Sequence, residues 1–472
     1  MDNVKNLSRN SVGTGGLIFQ AMGQLSPIGI FGGSILGAAA FALGATPLSF
    51  IIGLLASLLA GNSIYQYSKK MASARGYYGY IGNGIGMTAG SFAAFLYILY
   101  EFANLLFILG YYVLTFSPTL GYVTGLNIPN SISYLYIILI SIPAFYVVYR
   151  GIKLSYRTQI IANVIQIVFV VSISIAIIVT SPKIGLLPFT AYGVGIKGVF
   201  LGFITGSYLS FAGFGSIVPL GEEARAARKS IGKAVLAIIL IMGAIYLLGS
   251  YAMVAGWGIN AMASFSNSIY PGFVIVSRFG SVPQGIFFIL NFFVVYPLFV
   301  TMTTALSRNI YAMARDKIIP ARLSGIHDKN RSPHIAIGYI TLIFAILAGI
   351  SSLAFYYAEG GFFNGFFDDF LFFATVSTVT TLVIHVMLNL SLYSKFHNEG
   401  ERTWKKVSTH IIMPSTSTVI VVLAIYYSVV SLTFPIDLGP LVILAYGICA
   451  VAYIFIKKRY ILKIDFTEDL YE

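Results

Sequence analysis

Glu101 is an acid in the middle of an apolar stretch that runs from about 87 to 116. A carboxyl group at the centre of a membrane costs about 3 kcal/mol even on lenient insertion scales, so it is expected inside the protein or facing a wet cavity. Tyr97 and Asn104 share its helical face by i, i+4 and i+7 spacing. This face predicts a proton carrier or a partner for a substrate ammonium, with interhelical hydrogen bonding as the structural alternative.

Three further side chains in apolar stretches could handle a cation. His385 shares a helical face with Thr378 and Thr381, which predicts a proton relay or else a histidine hydrogen-bonded between helices. Thr303 and Thr304 supply hydroxyl oxygens of the kind that bind sodium, although threonine is also common in helix contacts within membranes. Apart from this histidine and the acid described above, we expect no ionisable residue well inside the spans.

Two stretches are rich in residues that permit unwound backbone. Residues 23–33 combine Pro27 with several glycines, and residues 206–215 contain three glycines. Proline lacks an amide donor and glycine tolerates non-helical dihedrals, although glycines also let membrane helices pack closely. Helix ends inside a membrane expose N–H and C=O groups that bind ions without charged side chains. We therefore expect both stretches to bind a small molecule.

The candidate substrate-binding residues come from these stretches and from the helix that carries Glu101. Amides of the first stretch are the expected donors to a carboxylate, and carbonyls of the second stretch are the expected acceptors for an ammonium. Two phenylalanines could close over the bound molecule, or they could simply pack. The full set is Gln24, Ser26, Pro27, Ile28, Gly29, Asn104, Phe211, Ala212, Gly213 and Phe214.

The elements that must position these groups are membrane helices. Hydrophobic residues make up 57% of the 472 residues and charged residues 10%, against about 25% charge in a soluble domain. Each apolar stretch is near the ~20 residues needed to cross a bilayer, and a helix satisfies its own backbone groups there. The predicted spans are approximately 14–39, 44–68, 87–116, 131–149, 155–180, 198–221, 232–256, 284–306, 333–354, 362–391, 410–432 and 437–456.

Basic residues predict the orientation of the chain. With the N-terminus inside, every Lys and Arg except Lys183, Lys197 and Arg278 falls on the cytoplasmic side, as the positive-inside rule requires. Both termini are therefore expected in the cytoplasm, in a multi-pass protein of the cell membrane. The net charge of +13 then marks orientation and contact with anionic lipid headgroups, with no need for a nucleic-acid partner.

Other classes of chemistry have little support in the sequence. Cys449 is the single cysteine, and the five histidines show no H-x-x-x-H spacing, so neither a disulfide nor a metal site is expected. No Walker or G-x-S-x-G motif occurs. We expect no enzyme activity, no cofactor and no metal. The first span lacks a cleavage site after a short apolar core, so it is expected to be a retained helix.

Several motifs carry a resemblance to a known family. They are S-F-A-G-F at residues 210–214, G-E-E-A-R at 221–225, G-I-K-L-S at 151–155, S-R-N-I-Y-A-M-A-R-D at 307–316 and H-I-I-M-P at 410–414. Taken in their order along the chain, these motifs resemble blocks of amino acid permeases in the amino acid, polyamine and organocation transporter superfamily, and the matching blocks extend over residues 14–414.

The resemblance implies an all-α membrane fold of twelve transmembrane helices. Its core would be a 5+5 inverted repeat of the leucine-transporter type, with discontinuous helices 1 and 6, followed by two accessory helices. One transport domain would cover residues 1–472, with repeats at about 14–180 and 198–391 and accessory helices at about 410–456. Interrupted helices at matching positions of two repeats indicate a transport site at the membrane midplane.

The expected function is secondary active transport of an amino acid or related amine by alternating access, coupled to a proton or to sodium. An exchanger without net ion coupling is the alternative within transport, and a transporter-like sensor is a further one. A channel would need a continuous pore or filter motif, and a membrane enzyme would need clustered His, Asp or Glu; the sequence has neither.

Three positions depart from the family's patterns. Pro27-Ile28-Gly29 stands where many relatives have G-[SA]-G, Gly215 where many have Glu, and Gln166 where some proton-coupled relatives have Lys. The last two differences remove titratable groups, so coupling through those positions is not expected. Glu101 and His385 then remain as the expected coupling or relay groups.

Overall fold

The computed structural model describes residues 6–129, 132–268, 270–359, 361–397, 403–430 and 432–464. Within these residues the regular structure is helical, and the single β-type pairing is an isolated bridge between Val12 and Ala224. Helices follow from the composition, because a helix satisfies its own backbone groups inside a membrane. The expected all-helical class is confirmed.

The α-helices follow one another from the N-terminus to the C-terminus. They are α1 (Thr14–Leu25), α2 (Ile35–Ala42), α3 (Thr46–Ser68), α4 (Gly76–Ile85), α5 (Met87–Thr124), α6 (Ile132–Tyr149), α7 (Ile152–Thr180), α8 (Gly195–Gly202), α9 (Tyr208–Phe211), α10 (Ala227–Trp257), α11 (Pro271–Ser277), α12 (Ser281–Phe293), α13 (Val295–Arg315), α14 (His334–Ala358), α15 (Phe362–His397), α16 (Trp404–Val407), α17 (Met413–Val430) and α18 (Leu438–Ile461).

Ten helical runs among the described residues are long and apolar enough to cross a membrane. They are Ile35–Ser68, Met87–Thr124, Ile152–Thr180, Gly195–Leu220, Ala227–Trp257, Ser281–Arg315, His334–Ala358, Gly365–Lys395, Trp404–Val430 and Leu438–Ile461. The protein is therefore a multi-pass membrane protein. Two predicted spans are helical but shorter, since α1 has 12 residues and the apolar part of α6 covers only Leu135–Tyr149.

Two helix boundaries differ from the predicted spans. α4 forms between the second and third predicted spans, and Gly86, with φ of 97°, separates it from α5. α5 continues past Pro118 to Thr124, beyond the predicted end near 116. A proline inside a membrane helix is tolerated because neighbouring groups satisfy the backbone that it frees. Apolar length alone therefore underestimated both the number and the length of the helices in this region.

Both glycine-rich stretches interrupt their helices. α1 ends at Leu25, Ser26 adopts φ 49° and ψ 98°, and a π-helical turn follows at Ile30–Ser34. In the second stretch, a π-helical turn at Phe203–Ser207 leads into α9 and then into a 3-10 turn at Ala212–Gly215. Such changes of backbone leave N–H and C=O groups available to partners outside the helix.

The two interrupted segments pack backbone to backbone. A Cβ on Gly206 would lie 2.2 Å from the carbonyl oxygen of Ser34, and a Cβ on Gly37 would lie 2.6 Å from that of Thr205. Only glycine permits so close an approach. Around this pair, α5 packs along α15 and α10 packs along α3. Buried polar groups from several helices consequently meet near the two breaks.

Candidate functional site

Hydrogen bonds join the first break, the acid of α5 and the second break. Gln24 donates its side-chain amide to the Tyr100 hydroxyl at 3.2 Å and to a carboxyl oxygen of Glu101 at 3.3 Å. Tyr100 donates to the carbonyl oxygen of Ala212 at 2.9 Å. Asn104, one turn further along α5, accepts from a serine hydroxyl of α15 at 2.9 Å. The structure thus brings together candidate residues that the sequence analysis placed on three separate helices.

The amides of the first break already have acceptors. Ile28 N donates to the side-chain oxygen of Gln166 at 3.3 Å, and Gly29 N donates to the Ser26 hydroxyl at 3.1 Å. Pro27 has no amide hydrogen to offer. A carboxylate bound at this break would therefore take the place of one of these two side chains. Gln166, which the sequence marked only as the loss of a lysine, is a direct neighbour of the break.

Tyr246 of α10 links the two breaks from another side. Its hydroxyl lies within hydrogen-bonding distance of the carbonyl oxygens of Leu25 and Ser210, the latter at 2.9 Å. A phenol has one proton, so it donates to only one of these carbonyls at a time. The ring packs edge-on against fully buried Phe211, with centroids 5.1 Å apart. Both helix ends thus depend on a single donor.

A narrow crevice lies beside the second break; its empty volume of about 210 Å³ includes its open mouth, and its interior is too narrow for a water molecule. Its lining residues are Tyr77, Tyr97, Tyr100, Ala212, Gly215, Ser216, Thr381 and Ile384. Small-molecule sites are typically apolar and aromatic with a few polar groups, as here.

Several buried polar atoms of this region have no hydrogen-bond partner among the described residues, including Gln24 Oε1, Ser216 Oγ and His385 Nδ1. Because buried polar atoms are normally paired, they indicate where a bound molecule would complete the hydrogen bonding.

His385 and Phe214 lie against each other near the crevice. Their ring centroids are 5.4 Å apart, and the Tyr77 ring lies 5.9 Å from the histidine, edge to face. Tyr77 also accounts for the glycine at 215, because a Cβ there would lie 1.6 Å from the Tyr77 hydroxyl oxygen. The space of the glutamate that many relatives carry is therefore filled by a tyrosine.

Thr303 and Thr304 of α13 have different surroundings. The Thr303 hydroxyl is buried without a partner among the described residues, and the Thr304 hydroxyl lies 3.3 Å from a serine hydroxyl of α7. The threonine that reaches α1 is Thr301, which donates to the carbonyl oxygen of Gln20 at 2.8 Å and accepts from the Gln159 amide at 3.1 Å. Neutral hydrogen bonds thus connect α1, α7 and α13.

A second buried polar region lies at the end of α13, and we call its six residues the charged cluster. Arg308 donates twice to Glu223, at 2.9 and 3.1 Å, and both side chains are almost fully buried. The other two pairs are Arg315 with Glu222 at 2.6 Å and Arg75 with Asp316 at 2.7 Å. Each carboxylate of the cluster therefore has an arginine.

The charged cluster also binds neighbouring segments. The carbonyl oxygen of Glu223 accepts from the amides of Ser11 and Val12 at 2.8 and 3.0 Å, which fixes the segment before α1. Tyr78 of α4 donates to Asp316 at 2.8 Å. Burial, and then the Asp316 carboxylate, raise the pKa of the Tyr78 hydroxyl well above its usual value, so this hydroxyl stays a donor.

Asp369 shows that the expectation of only two ionisable groups inside the spans was wrong. It lies in α15 within the predicted span 362–391 and is completely buried. Asp369 follows the predicted start of the span by only a few residues, where acids are commonly exposed, so the sequence does not mark it as buried. Its burial depends on how α14 packs against α15, which the sequence pattern does not give.

Comparison with known proteins identifies the family of this chain. A family model described as amino acid permease matches residues 16–469. The chain belongs to the amino acid permease family. The branched-chain amino acid permease BcaP of Bacillus subtilis (strain 168) is 26% identical to this permease over 224 residues, which are 46% of this chain and 47% of the relative. The matched region therefore spans about half the length of that relative. The family resemblance carried by the motifs is confirmed, and it indicates a membrane transporter and not an enzyme.

Several residues that complete the site were not predicted from the sequence, namely Tyr77, Tyr100, Gln159 and Tyr246. The tyrosines gave no signal, since the chain contains 32 of them. Gln159 could have been found, because it shares a face of α7 with Asn163 and Gln166 by i, i+4 and i+7 spacing. A polar stripe on an apolar helix indicates contact with other protein groups.

Proposed function

We propose that this permease is a secondary transporter that carries an amino acid or related amine across the cell membrane by alternating access, coupled to protons. One observation carries the proposal: Gln24 and Tyr100 connect the Glu101 carboxyl to both helix breaks. A group that can exchange a proton thus lies next to the groups that can hold a small zwitterion. Proton transfer and substrate binding can then influence each other through these hydrogen bonds.

The polarity of the two breaks suits the two ends of an α-amino acid. The helical segment that begins after the first break presents its positive end, which favours the substrate carboxylate at the amides of Ile28 and Gly29. The second break ends a helical segment, so its carbonyls and Glu101 favour the ammonium. The aromatic and aliphatic groups in the lining, together with the similarity to a branched-chain amino acid permease of Bacillus subtilis, support a substrate with a branched apolar side chain.

The finer architecture is part of the same proposal. Residues 1–472 form one transport domain of twelve transmembrane helices, in which two inverted repeats, at about 14–180 and 198–391, precede accessory helices at about 410–456. The interruptions in the first and sixth spans support this arrangement. Both termini are cytoplasmic, and the buried ion pairs of the charged cluster then close the cytoplasmic side.

Uptake by purified protein in lipid vesicles tests this function. Labelled leucine, valine, arginine and putrescine would be supplied with an imposed proton gradient, an imposed sodium gradient or neither. We expect leucine or valine to accumulate with the proton gradient alone. Exchange of internal for external amino acid without gradient-driven accumulation would favour the exchanger. Accumulation with the sodium gradient alone would instead favour sodium coupling, with Thr303 and Thr304 as the candidate ligands.

Cysteine labelling tests the orientation. Cys449 is exposed and is first replaced by serine. Thr124→Cys and Lys329→Cys, both at exposed positions, are then treated in intact cells with a maleimide that cannot cross membranes. We expect reaction at position 124 and none at position 329, and the reverse pattern would invert the proposed topology.

A further inference from the structure

We propose that Asp369 is a second proton-binding site, which loads from the end of the protein where α14 and α15 are joined. The proposal rests on the proposed transport function and adds a titratable group outside the helix-break site, by which we mean the two helix breaks, Glu101 and the side chains that join them. Asp369 is completely buried in α15. Neither of its carboxyl oxygens meets a donor with full hydrogen-bonding geometry among the described residues. A buried carboxylate in this state lacks the partners that ordinarily stabilise its charge.

The packing of α14 against α15 places the carboxyl between these helices. A Cβ on Gly365 would lie 2.7 Å from the carbonyl oxygen of Phe355, so the helices touch at that point. Asp369 lies one turn after Gly365 in α15, and Ser351 lies one turn before Phe355 in α14. Because the two helices are antiparallel, these residues are neighbours, and the Ser351 hydroxyl faces the Asp369 carboxyl. The next residue of α15, Phe370, packs on α5. Asp369 is therefore enclosed by protein and does not face lipid.

The described stretches of the helices around Asp369 carry no arginine or lysine that could neutralise this carboxylate. Residues 335–394 contain neither, and the same holds for residues 87–124 of α5 and 438–456 of α18. The described titratable groups on the surrounding parts of these elements are Asp368, Glu359, Tyr356, Tyr357, Tyr112, Tyr122 and Asp437. All of them are acids or phenols. The cation that balances Asp369 must therefore come from solution.

A proton suits this place better than a metal ion. The backbone carbonyls of α14 and α15 accept hydrogen bonds within uninterrupted helices. The carboxyl oxygens and one hydroxyl then remain, whereas a hard metal ion takes about six or more oxygen ligands. In the part of the chain that the structure describes, no group of three or more His, Cys, Asp or Glu could hold a metal ion.

Two acids form an entrance to the buried one. Glu359 follows the end of α14, both Glu359 and Asp368 are partly exposed, and the two interact. Neighbouring surface acids raise the local concentration of cations. The hydrogen bond between Ser377 and Asn104 fixes the register of α15 on α5, and at 1.5 Å per residue it puts Asp369 about 15 Å from the level of Glu101. The two carboxyl groups are therefore separate sites.

Asp369→Asn tests the proposal, with Asp437→Asn, which changes an exposed acid just before α18, as the matched control. Both proteins would be compared with wild type in lipid vesicles, by amino acid accumulation under an imposed proton gradient and by exchange at equal pH. We expect Asp369→Asn to lose about tenfold or more of its accumulation and to keep exchange within about twofold, because it removes a proton site and leaves the helix breaks intact. Asp437→Asn should keep both activities within about twofold, because an exposed charge contributes little.

Wild-type accumulation in Asp369→Asn, or an equal loss in the two variants, would overturn the second site. The proposed function fails separately, if the wild-type protein neither accumulates nor exchanges an amino acid. If Asp369→Asn does not insert, the wild-type protein is treated with dicyclohexylcarbodiimide, an apolar reagent for protonated carboxyl groups, and mapped by mass spectrometry. Labelling of Asp369 that is stronger at pH 5 than at pH 9 supports the site, and absent or pH-independent labelling contradicts it.

Discussion

The helix-break site and the charged cluster are both buried and polar, yet they satisfy their polar atoms in opposite ways. In the charged cluster each carboxylate is paired with an arginine, and Glu223 receives two hydrogen bonds from Arg308. In the helix-break site, Gln24 Oε1 and His385 Nδ1 have no partner among the described residues. Complete pairing stabilises one arrangement, whereas open hydrogen-bonding capacity leaves room for a ligand.

Under the proposed transport function, the two regions would have different tasks. A region that must exclude ions in one state gains from buried ion pairs, since separating them exposes unpaired charge at a high cost. A region that must bind and release a substrate gains from neutral groups whose partners can be exchanged, as at Ile28 and Gly29. Substitutions in the two regions should therefore fail in different ways.

The largest effect is expected from Arg308→Ala in the charged cluster. It leaves Glu223 buried and unpaired, which should cost about 3–5 kcal/mol. Thermal unfolding of the purified protein in detergent measures the loss. Arg308→Met combined with Glu223→Leu removes both charges and should recover most of the stability, whereas Arg315→Ala should cost less because that arginine is 29% exposed. An Arg308→Ala protein as stable as wild type would remove the contrast between the regions.

A smaller structural effect is expected from Gly213→Ala in the helix-break site. The added methyl group would lie 2.7 Å from Gln24 Cγ, and such overpacking costs about 1–3 kcal/mol. Gly29→Ala is the matched control, because its methyl group would meet only the movable Ser26 side chain. Initial uptake rates should fall strongly in the first variant and little in the second. Equal rates would show that the approach of the two breaks does not matter for transport.

Glu101→Gln should change transport more than stability. The amide keeps the size and most hydrogen bonds of the carboxyl but cannot exchange a proton, so gradient-driven accumulation should fall about tenfold or more while exchange persists. Accumulation and exchange are measured on the same vesicles. If substrate affinity falls instead, Glu101 pairs with the substrate ammonium, and unchanged accumulation would reduce it to a contact between helices.

The smallest effect is expected from Tyr246→Phe. It removes the one donor shared by the carbonyls of Leu25 and Ser210 and should destabilise the protein by about 1 kcal/mol. Tyr251→Phe, on the same helix, removes a hydroxyl that binds the exposed carbonyl of Gly185, and it should have almost no effect. Thermal unfolding and uptake rates distinguish them. Identical behaviour of the two variants would contradict a role for Tyr246 in joining the breaks.

The helical class and the first break could be predicted from the sequence because both depend on residues close together in the chain. Apolar length determines whether a segment spans a membrane, and Pro27 ends hydrogen bonding wherever it lies. Tyr246, Gln166 and Asp369 could not be predicted, because their roles depend on contacts between helices far apart in the chain. Tyr246, for example, meets a carbonyl 221 residues earlier. Nothing local distinguishes it from the other tyrosines of the apolar spans.

Gly215 and Tyr77 also restrict which substitutions this permease can accept at position 215. While the tyrosine hydroxyl occupies the space of a side chain at 215, the glutamate of many relatives cannot be introduced there alone. Reducing Tyr77 first opens the space but gives up its ring contacts with Tyr97 and His385. The effects of the two substitutions are therefore non-additive. Any side chain at position 215 therefore requires Tyr77 to move away or to be replaced.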